Sequence, residues 1–89
     1  MFWRRNIEKK ITNLKNEKKY DHLLYYCRVI LEKNPRNLHA LRGQIFALQK
    51  QGREKEAIEY CNEVLELFPY DPDIVNCITN LKKEQGKNG

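Results

Sequence analysis

The chain has 89 residues, 40% of them hydrophobic and 33% charged, with only four Gly and three Pro, a mixture that suits a helical domain with one small core rather than a disordered or fibrous chain. No apolar run approaches a membrane span, and Met1, Phe2 and Trp3 are too short a stretch to be the apolar region of a signal peptide, so no membrane partner and a cytoplasmic location are expected. The net charge of +5 is uneven: residues 1–43 hold eleven Lys or Arg against four acids, and residues 44–89 hold six against eight. A basic front half can steer an acidic ligand, and can equally be a solvated surface.

In the first segment Trp3, Ile7, Ile11 and Leu14 are spaced four, four and three apart, a single stripe on a helix. Asn16 to Lys19 interrupt the pattern, and Asp21 is placed to cap a second helix that buries Leu23, Leu24, Cys27, Ile30 and Leu31. That helix should stop before Asn34-Pro35, because proline disfavours helical geometry in the residue ahead of it. Asn37 is the expected cap of a third helix with Leu41, Ile45 and Leu48 inside, closed by a left-handed stop at Gln51-Gly52. A fourth helix follows with Ala57, Ile58, Cys61, Val64 and Leu65. Asp71-Pro72 puts a capping carboxylate before a first-turn proline, and a fifth helix should bury Val75, Ile78 and Leu81 before closing at Glu84-Gln85-Gly86.

The segments repeat. Ile11, Leu14, Tyr26, Cys27, Leu31, Glu32 and Pro35 recur 34 positions later as Ile45, Leu48, Tyr60, Cys61, Leu65, Glu66 and Pro69. Fixed-period similarity of this length marks a repeat architecture in which each unit buries its apolar face on the next. Ala40-Leu41, Leu48, Gln51-Gly52, Glu56-Ala57-Ile58, Tyr60, Leu65-Glu66-Leu67 and Pro69 resemble the tetratricopeptide repeat family. The resemblance implies an all-α superhelical solenoid of five helices in a single domain: one unit over residues 4–37, a second over 38–71, and a capping helix over 72–86. Thr79 and Lys82 stand where the preceding unit has Ile45 and Leu48, as suits a helix that ends the stack. Ile11 and Ile45 occupy the family's close-crossing position, usually held by a small residue, although Gly43 and Ala47 lie nearby. Lys18 replaces the turn glycine.

The resemblance further implies a concave peptide-binding groove lined by the first helix of each unit. In this numbering it comprises Arg5, Glu8, Thr12 and Lys15, then His39, Arg42, Phe46 and Gln49 with Lys50 beside them, then Asp73, Asn76, Asn80 and Lys83. Phe46 lies off the apolar stripe and is placed either to receive a ligand side chain or to pack on a neighbouring helix. Arg5, Arg42 and Lys50 around it favour an acidic or carboxylate-bearing peptide. Some family members clamp the C-terminal carboxylate of chaperone tails with Lys, Asn and Arg, but the matching positions here hold Glu8, Thr12, Gly43, Asp73 and Cys77. That clamp is absent.

Chemistry beyond binding finds little footing. There is no serine and no Gly-rich phosphate loop, and neither His22 nor His39 has a ligand-spaced partner, so no enzyme, metal or cofactor is expected. Three cysteines without a Cys-x-x-Cys pair form neither a disulfide framework nor a zinc site. Cys27 and Cys61, in buried stripes of adjacent units, are expected to lie too far apart to bridge. Cys77 is expected to be an incidental thiol near the chain end. Two alternatives to peptide capture remain from the sequence. Arg4, Arg5, Lys9, Lys10, Lys15, Lys18 and Lys19 near Trp3 and Tyr20 form a basic strip with aromatics that suits nucleic acid. The apolar end at Phe2 and Trp3 suits a weak homodimer, or folds back to leave a monomer.

Overall fold

The computed structural model describes the backbone of residues 2–88 and the side chains of residues 6–83. Among these residues the chain forms five helices and no strand: α1 (Phe2–Asn16), α2 (Tyr20–Lys33), α3 (Leu38–Lys50), α4 (Glu54–Leu67) and α5 (Pro72–Asn88). Each helix packs on the next, and α1 also rests on α3. Their apolar stripes meet in one continuous core running from Ile7, Ile11 and Leu14 through Leu23, Cys27, Ile45 and Leu48 to Val64, Ile74 and Leu81. The outline, 44 × 28 × 19 Å, is that of helices laid in a row.

The repeat is written into the backbone. α1 ends with Lys18 at φ 58° and α3 with Gly52 at φ 76°. At the first turn Lys18 N–H donates to the Lys15 carbonyl (3.1 Å) and Lys19 N–H to that of Leu14 (3.0 Å); at the second, Gly52 donates to Gln49 (3.0 Å) and Arg53 to Leu48 (2.9 Å). This crossed pair of bonds is the Schellman stop, which satisfies carbonyls the helix leaves open. The next turns match as well: Asn34 donates to Ile30 and Asn37 to Asn34, as Phe68 donates to Val64 and Asp71 to Phe68. Side chains follow suit. Ile11 and Ile45, Leu14 and Leu48, and Cys27 and Cys61 are all buried, whereas Tyr26 and Tyr60 are both half-buried.

Asn37 caps α3, its Oδ1 accepting from the Ala40 N–H at 3.1 Å. Asp71 caps α5, its Oδ1 accepting from the N–H groups of Asp73 (3.0 Å) and Ile74 (3.2 Å). Asp21 is not a cap. It lies inside the first turn of α2, where a carboxylate favours the positive helix end, and accepts a hydrogen bond from Gln51 Nε2 across the neighbouring turn. Lys19 holds the N-cap position without a side-chain capping bond, as Arg53 does for α4.

Three other expectations change. Ile78 and Leu81 of α5 are buried as expected, but Val75 is exposed and Ile74 is buried in its place, so the inward stripe runs four then three residues, as Leu41, Ile45 and Leu48 do in α3. Gly86 does not stop α5, which continues to Asn88. Ile30, Leu31, Ile58 and Leu65 flank the core only half-buried. The outward side of α5 carries exposed Val75, Thr79 and Lys82, with the Thr79 hydroxyl donating to the Val75 carbonyl at 2.8 Å. Trp3 and the apolar end beside it lie outside the described side chains.

A close helix contact is made at Gly43. A β-carbon there would stand 2.7 Å from Cys27 Sγ and 3.6 Å from Ile11. Absence of a side chain on α3 thus lets α1 and α2 close on it together.

Candidate binding groove

α1, α3 and α5 border a trough made of three adjoining hollows. The central one, about 220 Å³, lies among Lys15, Arg42, Ile45, Phe46, Gln49, Asp73, Ile74 and Cys77. Toward one end Phe46 and Gln49 continue into a hollow of about 370 Å³ with Lys50, Glu54 and Leu81. Toward the other, Lys15 and Arg42 continue into one of about 170 Å³ with Glu8, Ile11, Thr12 and His39. The shared residues make the trough continuous.

Of the positions expected to line a groove, Glu8, Thr12, Lys15, His39, Arg42, Phe46, Gln49 and Lys50 come together in it. The Arg5 side chain lies outside the described residues. Asn76, Asn80 and Lys83 are exposed and line none of these hollows. α5 contributes the expected Asp73 together with Ile74, Cys77 and Leu81, because the hollow lies in the crevice between α3 and α5 and meets the inward side of α5.

Phe46 is half-buried at the centre. Lys15 Nζ stands 4.6 Å and Lys50 Nζ 5.5 Å from its ring centroid, and the Tyr20 ring is tilted by 58° at 6.0 Å. An ammonium over an aromatic face is attracted by the ring quadrupole. Among the described residues neither lysine has an acid within ion-pair distance.

Arg42 is differently placed. Its Nη2 lies 2.7 Å from Asp71 Oδ2 and 3.1 Å from Asp73 Oδ2, so its charge is already answered by the start of α5. Burial alone would raise the Asp71 carboxyl, but the Ile74 N–H, the Arg42 guanidinium and the Asp73 N–H together hold it below the usual carboxylate range. Arg42 Nε is the one buried side-chain polar atom among the described residues without a hydrogen-bond partner. His39 Nε2 meets Glu8 Oε1 at 3.1 Å on the rim, where both are about half exposed and the pair contributes little stability.

Sequence reasoning missed Asp71 as the partner of Arg42, and Tyr20 and Glu54 as neighbours of the groove. It also read Cys77 as incidental, whereas this thiol is half-buried and faces Gln49 Oε1 at 3.4 Å. No group of three or more metal-ligating side chains occurs among the described residues. None of the described helices is long and apolar enough to cross a membrane. No protein-family model matches the sequence, and no curated protein matches it either.

Proposed function

We propose that this chain is a non-catalytic protein-interaction module of the tetratricopeptide kind, two helical hairpins closed by α5, whose trough captures a segment of another protein. The observation that carries this reading is the placement of two lysines, without acidic partners among the described residues, over a single half-buried phenylalanine. Two ammonium groups sharing one ring repel each other, and a carboxylate placed between them relieves that repulsion while an adjacent apolar side chain covers Phe46. The segment sought is therefore acidic with an apolar anchor.

Affinity capture from native lysate, with and without nuclease, tests this. Wild-type chain should retain discrete proteins regardless of nuclease, and a Lys15→Glu/Lys50→Glu/Phe46→Ala variant of unchanged helix content should lose them. Retention that vanishes with nuclease points to nucleic acid instead. Retention indifferent to the triple substitution removes the trough as the binding face.

A further inference from the structure

α2 and α4 are the two helices that do not border the trough, apart from Glu54 in the first turn of α4. They lie side by side and run the same way. At their starts Asp21 of α2 accepts a hydrogen bond from Gln51, in the turn that leads into α4. Just beyond their ends the Arg36 guanidinium lies 5.9 Å from the centroid of the Phe68 ring. The outer rows of the two helices therefore belong to one surface.

That surface is divided by charge. Residues 18–36 hold five Lys or Arg against two acids, whereas the repeat-equivalent residues 52–70 hold two against five. The exposed positions carry the difference: Tyr25 and Val29 on α2 are matched 34 positions later by Glu59 and Glu63 on α4, and Arg28 by Asn62. Among the described residues Arg28, Lys33, Glu59 and Glu63 have no ion-pair partner, so these charges are not answered within the chain. Tyr25, 72% exposed, stands in the basic half.

We infer that this outer surface is a self-association face, on which two copies dock about a two-fold axis running along the helices, each setting its basic, tyrosine-bearing α2 on the acidic α4 of the other.

Rotation about such an axis exchanges the two helices, so a face split into opposite halves is complementary to itself and the contact closes at two copies. An axis across the helices would instead stack α2 on α2 and α4 on α4, bringing like charges together. At 1.5 Å per residue a 14-residue helix is about 21 Å long, and two helices side by side span about 20 Å, so the face offers roughly 400 Å² per copy. An area of that order lies at the low end for protein contacts and fits a weak, reversible dimer. Tyr25 gives it an apolar centre with a hydroxyl for the carboxylates of the second copy, and Arg28 and Lys33 give it an attraction that salt screens. The dimer leaves both troughs open, and it does not depend on what they bind.

Sedimentation equilibrium of the full chain from about 10 µM to about 1 mM tests this: the mass should rise from one chain toward two and no further, and association should weaken at least about tenfold between about 0.05 M and about 0.5 M salt. Arg28→Glu/Lys33→Glu and Glu59→Lys/Glu63→Lys change only exposed side chains, and each variant alone should stay monomeric with unchanged helix content. Mixed in equal amounts, the two should form a dimer with one chain of each, because the exchanged halves again meet their opposites. A wild-type monomer throughout, growth beyond two copies, association indifferent to salt, or a mixture that stays monomeric would overturn the inference. Variants that associate as wild type does would also overturn it, and would point to the apolar end at Phe2 and Trp3 instead. The wild-type salt dependence decides the matter even if a variant fails to fold.

Discussion

Gly43 and Cys27 meet where α3 crosses α2, with the cysteine sulfur 2.7 Å from the place a β-carbon on Gly43 would occupy. Cys27 is completely buried, so its sulfur has no solvent side to turn toward. Gly43→Ala should therefore destabilise the chain by about 1–3 kcal/mol through overpacking, offset in part by about 1 kcal/mol of improved helix propensity. In a Cys27→Ala background the overpacking disappears and the same substitution should become neutral or stabilising. Urea unfolding of the double-mutant cycle checks this, and additive effects would contradict the crossing geometry.

The matching turns give a prediction of opposite sign. Lys18 and Gly52 hold equivalent left-handed positions, but only the glycine does so without a β-carbon penalty of roughly 1–2 kcal/mol. Lys18→Gly should raise stability by about 1 kcal/mol, and Gly52→Ala should lower it by about as much. Thermal unfolding of both variants reads out the result. A destabilised Lys18→Gly chain would mean that the lysine side chain has a structural role absent from this geometry.

Asp71 makes the fold acid-sensitive. Its carboxyl is held below the usual range, so it contributes stability that is complete above the unfolded aspartate value of about 4 and is lost as pH falls through the lower folded value. Asp71→Asn keeps a capping oxygen for α5 but removes the charge facing Arg42. Its unfolding free energy should fall below wild type at neutral pH and converge with it in strong acid. A difference that stays constant across pH 2 to 7 would show that the ion pair adds nothing.

Much of this was readable from one chain because the 34-residue period ties distant residues to like environments. Once Ile45 and Leu48 are placed inside α3, Ile11 and Leu14 follow, and the polar positions between them point to Lys15, Arg42, Phe46 and Gln49. The burial of Ile74 in place of Val75 was not readable. Val75 and Ile74 are adjacent and both apolar, and only packing against α3 and α4 decides which is buried. With Ile74 inward, Cys77 three positions on meets the trough and Asn76 does not. Arg42 escaped for a related reason: Asp71 announced itself as a helix cap, and a cap's second oxygen finds its partner only in three dimensions.

The central claim is that Phe46, between Lys15 and Lys50, is where a partner segment lands. The direct measurement is a residue-resolved NMR titration of the chain with a short glutamate-rich peptide carrying one leucine. Shifts should concentrate at Lys15, Phe46, Gln49 and Lys50, and should disappear in the Lys15→Glu/Lys50→Glu variant. Shifts confined to the outward Lys9, Lys10, Lys18 and Lys19, or unchanged by that variant, would contradict it.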